Sequence, residues 1–197
     1  MATMGQAWAD ARRAARVDGL RTLIPQKVGS AGDLTLEIGC GHGHWLVAYG
    51  EAHPNERCLG IDLLGERLAK CEAKRARRQL TNVHFLKAEA AELLDALPND
   101  LRLTKVFILY PDPWPKRRQN HNRFLQAANL DRLARACPPG TPLAFRTDHA
   151  DYHTAAGEAL AAHPDWQIEP EASWPFEAAT FFQDLLRDKR DWIARRR

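Results

Sequence analysis

Apolar residues along the 197-residue chain fall into two alternating patterns. Short, mostly apolar runs stand at about 34 to 38 (LTLEI), 57 to 61 (RCLGI), 82 to 86 (NVHFL), 105 to 109 (KVFIL) and 141 to 146 (TPLAFR), and each predicts a strand. Between them the apolar positions recur at helical spacing. Glu66 to Gln79 sets Leu68, Cys71 and Ala76 near one face, and Asn122 to Ala136 carries Phe124, Leu125, Ala128, Leu133 and Ala136 before Pro138-Pro139-Gly140 stops the helix. Residues 1 to about 30 read as a polar helix followed by a loop around Pro25 and Gly29. The tail DLLRDKRDWIARRR reads either as a terminal helix or as a last strand with a basic tip. Strands alternating with helices predict an α/β fold, a doubly wound Rossmann-like and mostly parallel sheet. No internal repeat or low-complexity linker divides the chain, so residues 31–197 are expected to form one domain, preceded by an N-terminal extension over residues 1–30.

Composition narrows this only a little. With 45% hydrophobic and 27% charged residues the chain is too apolar for disorder and too mixed for a fibre. No stretch approaches the ~18 apolar residues of a membrane span. The N-terminus (MATMGQAWADARRAAR) lacks the apolar core of a secretory signal, so a cytoplasmic location and no membrane partner are expected. Cys40, Cys58, Cys71 and Cys137 have no C-x-x-C spacing and read as reduced, structural thiols. A monomer is favoured. The net charge is only +3, yet arginine supplies 21 of the 28 basic residues, and the cations cluster at Arg12 to Arg16, Lys70 to Arg78, Lys116 to Arg118 and Arg195 to Arg197. Such patches point to a polyanionic partner.

The chemistry gathers at strand ends. The first strand runs into Glu37-Ile38-Gly39-Cys40-Gly41-His42-Gly43, with a helix expected from about His44. Glycines two apart let a ligand approach the backbone closely, but G-x-G-x-G is not the G-x-G-x-x-G of a dinucleotide pyrophosphate cradle, which favours a ligand without phosphates. The second strand ends at Asp62, about 20 residues beyond the glycines, where a carboxylate can accept both ribose hydroxyls of an adenosine. Glu89 follows the third strand, where it can receive an adenine amino group. For both acids the plainer use is helix N-capping. The fourth strand ends in Tyr110-Pro111-Asp112-Pro113-Trp114-Pro115-Lys116-Arg117-Arg118, where three prolines stiffen a loop holding an acid, an indole and three cations at the edge where open α/β sheets place their chemistry. Trp114 suits stacking on a base and packing equally. His42-x-His44 and His149-x-x-x-His153 lack a third ligand at motif spacing, so no metal is expected.

EIGCGHG, LGID, PDPWPKRR and FRTD, in that order and at strand ends, resemble the tRNA (guanine-N7)-methyltransferase family of class I S-adenosylmethionine enzymes. The resemblance covers roughly residues 33 to 183, and D-P-W-P-K is its most specific element. It implies the class I methyltransferase type of the fold, S-adenosyl-L-methionine as cofactor and tRNA as substrate, with the methyl group going to the variable-loop guanine (the guanine-46-N7 type). By resemblance Glu37, Gly39, Gly41, Asp62, Glu89 and Asp112 line the cofactor pocket, and Asp112 is the catalytic residue. Lys116, Asp148, Thr180 and Gln183 face the guanine and its nucleotide.

Two departures fall on the substrate side. The basic stretch after D-P-W-P-K is short (KRRQNHNRF), and Gln183 stands where the family's T-x-x-E motif has glutamate; glutamine exchanges hydrogen bonds but takes no proton. No classical base is required, since guanine N7 has an in-plane lone pair and no proton, so positioning and nearby carboxylates carry the catalysis. Two other readings remain open at this point. One is transfer to an exocyclic amine, which the [DN]-P-P-[YFW] loop of amino-methylating enzymes brings to mind, although Trp114 stands where that loop has its second proline. The other is an RNA-binding protein of this fold that has lost turnover.

Overall fold

The computed structural model describes residues 3–178 and 188–197. A seven-stranded sheet is formed by β1 (Gly32–Ile38), β2 (Cys58–Asp62), β3 (Val83–Lys87), β4 (Leu101–Leu109), β5 (Pro142–Thr147), β6 (Trp166–Ile168) and β7 (Arg190–Arg196), in the order β3-β2-β1-β4-β5-β7-β6. The first five strands are mutually parallel, while β7 runs antiparallel to both β5 and β6. Helices α1 (Met4–Val28), α2 (His44–Ala52), α3 (Gly65–Arg77), α4 (Ala90–Ala96), α5 (Ala127–Ala136) and α6 (Ala150–Ala162) complete the fold.

The strands are legible as unbroken apolar runs because both faces of the sheet are covered. Alternate residues of β4 show the division: Val106 and Ile108 join the core beneath α1, α4, α5 and α6, whereas Phe107 and Leu109 join Trp45, Leu46 and Tyr49 of α2 and Leu68 and Cys71 of α3. The long α1 enters the first core through Val17, Leu20, Ile24 and Val28.

Two expectations need correction, and one open alternative is decided. The head has no loop at Pro25; α1 runs through it and ends at Gly29, whose φ is +75°. Proline in the last turn forgoes one backbone bond, and the burial of Ile24 and Val28 on either side holds the helix in place. The second predicted helix begins not at Asn122 but at Ala127, after a 3-10 turn over Arg117–Asn122. The hydroxyl of Tyr152 accepts the amide hydrogens of Phe124 (3.0 Å) and Leu125 (3.4 Å), and these bonds compete with helix formation there. At the tail the described residues form β7, the last strand of the two alternatives; it packs Ile193 and Ala194 into the cores.

Candidate functional site

The carboxyl ends of β1, β2, β4 and β5 open on a crevice of about 870 Å³. Its wall includes Glu37, Gly39, Gly41, Asp62, Glu89, Asp112 and Asp148, so seven of the ten residues singled out in the sequence are brought together. Lys116 is exposed at the start of the 3-10 turn and does not line the wall. Thr180 and Gln183 lie outside the described residues.

The glycine turn is shaped for close approach. Gly39, Gly41 and Gly43 have φ of +76°, +53° and +68°, values that side-chain-bearing residues rarely adopt. No atom lies within 4 Å of where a Cβ would stand at Gly39 or Gly41, whereas at Gly43 it would meet Cys71 Sγ at 2.8 Å. The first two therefore leave room on the crevice side, and the third lets the turn sit against α3.

Asp62 holds that turn. Its Oδ2 accepts from the Gly41 amide at 3.0 Å and its Oδ1 from the Leu64 amide at 2.8 Å, with Arg67 Nη1 3.5 Å away. Each oxygen keeps a further lone pair for a ligand hydroxyl. Glu89 is the cap of α4, its carboxylate accepting from the Glu92 amide at 2.9 Å, and it also lines the crevice.

Glu37 differs from both. It is buried, and its Oε2 has no hydrogen-bond partner among the described residues. Burial, with smaller contributions from Cys71 and Asp62, pushes its carboxyl up to about 8. An unpartnered buried oxygen costs about 1 to 3 kcal/mol, a debt that a donor-bearing ligand in the crevice removes.

At the other side of the crevice the proline-rich loop leaves β4 through strained backbone. Tyr110 and Trp114 have φ of +49° and +47°, and both line the wall. The loop is tied down by Arg123, whose Nε donates to the Pro113 carbonyl at 2.9 Å and whose guanidinium lies 4.9 Å over the Tyr152 ring. Tyr110 donates its amide to the Arg146 carbonyl at 2.7 Å, while its buried hydroxyl has no partner among the described residues. Asp148 follows β5 directly. Helix α6 is capped by His149, which accepts from the Tyr152 amide at 3.4 Å, so Asp148 is not the capping residue.

Two structural features beside the crevice escaped the sequence. Arg146, two residues before Asp148, is buried, donates to both oxygens of Glu177 at 2.9 Å and to Asp191 at 2.9 and 3.2 Å, and stacks 3.8 Å over Trp174. A lone arginine inside the apolar run LAFRT was the available signal. Tyr110 gave none, because the strain lies in its backbone.

Among the described residues, one group has metal-ligand spacing: Asp131, His163 and Asp165, away from the crevice. There His163 Nδ1 accepts from the Asp165 amide (3.2 Å), its Nε2 faces Asp131 (3.1 Å), and Arg196 pairs with Asp165 (3.0 Å), so the polar groups already satisfy one another. All four cysteines are free and buried. No helix among the described residues is long and apolar enough to cross a membrane.

The sequence model of a family described as putative methyltransferases matches residues 31–185. The chain is 35% identical over 157 residues to the tRNA (guanine-N(7)-)-methyltransferase of Brucella anthropi, covering 79% of this chain and 66% of that protein. It is 35% identical over 154 residues to the enzyme of that name from Treponema pallidum, covering 76% and 60%. The matched part thus spans about two thirds or less of the length of these curated relatives. Among solved structures, Thermus thermophilus TrmN superposes with a TM-score of 0.62 at 16% identity over 90% of this chain and 48% of that one. An O-methyltransferase from Bacillus cereus, solved in complex with SAH, gives 0.60 at 14% identity over 93% and 81%. At such identities the likeness is one of fold: the sheet is that of the class I methyltransferases.

Proposed function

The chain belongs to the putative methyltransferase family, and on that premise we propose that it methylates N7 of a guanine in tRNA with S-adenosyl-L-methionine, the guanine being that of the variable loop. In the same reading residues 31–197 form the methyltransferase domain and residues 1–30 its extension. The observation that carries the reading is the pairing of an unpartnered, buried Glu37 oxygen with a left-handed glycine turn in one crevice. Such a crevice suits a ligand with hydrogen-bond donors and no phosphates.

The donor set fits that cofactor. Asp62 would accept from the ribose hydroxyls, Glu89 from the adenine amino group, and Glu37 and Asp112 would face the remaining polar groups, with Gly39 and Gly41 leaving room against the backbone. When bound, the cofactor supplies an electrophilic methyl sulfonium.

The chain's own task is then to hold and orient. Guanine N7 bears no proton, so no side chain has to remove one. The purine gains positive charge as N7 is methylated, and Asp112 and Asp148, on loops after the neighbouring strands β4 and β5, present negative charge to the crevice. Asp112 is the catalytic residue in this reading. Asp148, with Lys116, Thr180 and Gln183, would hold the nucleotide. The proline-rich loop, fixed by Arg123, keeps Asp112 in place with little entropy left to lose.

Incubation with tRNA and methyl-labelled cofactor, followed by digestion to nucleosides, tests the proposal. N7-methylguanosine is the expected product. A nucleoside methylated on an exocyclic amine, or no labelled product from protein that binds tRNA, would replace this reading with one of the two alternatives.

A further inference from the structure

Helix α3 carries a line of cations that the methyl-transfer chemistry does not use. Arg67, Lys70, Lys74 and Arg77 follow one another at intervals of three, four and three residues, which on an α-helix places them in one stripe about 15 Å long. Lys70 and Arg77 are exposed and make no ion pair among the described residues. Glu72 lies on the opposite side of the helix, shared between Arg75 (2.7 Å) and Lys27 (3.6 Å). Glu66, in the first turn, makes no ion pair with the stripe among the described residues.

The stripe begins at the crevice. Arg67 lines its wall, and Lys74 Nζ donates to the His42 carbonyl at 2.9 Å, fastening the helix to the glycine turn. The local potential is positive: the imidazole of His42 is held below its ordinary basicity by burial, then by Lys70, Lys74 and Arg67. The helix dipole accounts for cations in the last turn, at Lys74 and Arg77, but not for Lys70 in the middle of the helix or for Arg67 in the first turn, where it disfavours a cation. A line of exposed charges leading into a crevice suits a polymer of evenly repeated anions better than a single one.

We propose that the Arg67-Lys70-Lys74-Arg77 face of α3 is a docking track for the ribose-phosphate backbone of the RNA substrate, leading from the glycine turn outward along the helix. This rests on the tRNA reading above and adds the surface that seats the RNA. Lys70 and Arg77 contact phosphates alone. Their loss weakens RNA affinity without touching the cofactor.

The test is a salt titration of tRNA binding by fluorescence anisotropy, with the wild-type chain, K70E/R77E, and R21E/R102E as a control of equal charge change on exposed arginines outside the basic clusters. Each lost phosphate contact removes about 0.7 to 0.9 from the slope of log affinity against log salt. K70E/R77E is expected to lower that slope by about 1.4 to 1.8 and to weaken binding at least about tenfold at moderate salt, with melting temperature and S-adenosylmethionine affinity unchanged and the control close to wild type. An unchanged slope in K70E/R77E, or an equal loss in the control, overturns the track while leaving the tRNA reading standing. A wild-type chain that binds no tRNA overturns both.

Discussion

Glu37, next to last in β1, and Asp62, last in the adjacent parallel strand β2, share the wall of one crevice, yet Asp62 has backbone donors on both oxygens while Glu37 has an oxygen with none among the described residues. Two carboxylates in one cleft are thus set to different tasks: Asp62 shapes the glycine turn, and Glu37 waits for a donor.

The difference gives a pH signature. Burial raises the Glu37 carboxyl to about 8, so between its ordinary value near 4.5 and 8 the folded chain holds a proton that the unfolded chain has released. Stability therefore falls as pH rises through that window, by up to about 1.4 kcal/mol per unit. Glu37→Gln, which cannot ionise, should be flatter by that amount in chemical denaturation at pH 5 and pH 8. Parallel curves for the two proteins would show that Glu37 is ionised throughout.

Asp62→Ala removes two bonds to backbone amides and the proposed ribose contact. Charged hydrogen bonds of this kind are worth roughly 1.5 to 3 kcal/mol each. Calorimetry should show S-adenosylmethionine affinity down by at least about tenfold; an unaltered affinity would take Asp62 out of the binding site.

Gly43→Ala tests the seat of the turn. The added methyl would meet Cys71 Sγ at 2.8 Å and Phe85 at 3.1 Å, on a backbone with φ of +68°. The combined strain should lower stability by about 1 to 3 kcal/mol. A variant that melts with the wild type would mean that α3 yields freely at this contact.

Asp148→Asn keeps shape and hydrogen bonding while deleting charge. Because His149 caps α6, this change should leave the melting temperature alone. Turnover at saturating tRNA and cofactor should fall about tenfold or more, the effect of ~1.4 kcal/mol on the barrier. Wild-type turnover would confine Asp148 to a structural role.

Much of this architecture was readable from the sequence because its cause is local. Strands covered on both faces announce themselves as apolar runs, and Glu37, Asp62 and Asp148 stand where those runs stop. What was misread depends on distant partners. Phe124 and Leu125 have helical spacing, but the hydroxyl of Tyr152 takes their amides from 28 and 27 residues away. The short β6 exists through β7, to which it pairs antiparallel, and no local pattern encodes that pairing. Arg146 stands inside the predicted strand TPLAFR, and only the fold supplies Glu177, Asp191 and Trp174 around it.

The central claim is that the accepting atom is guanine N7, and a change of that one atom in the substrate tests it most directly. A tRNA transcript made with 7-deazaguanosine keeps the guanine oxygen and amine but replaces N7 by a carbon that has no in-plane lone pair. With methyl-labelled S-adenosylmethionine, the account predicts label in the guanosine transcript and none in the 7-deazaguanosine transcript, although both bind the protein. Equal labelling of the two transcripts would contradict it.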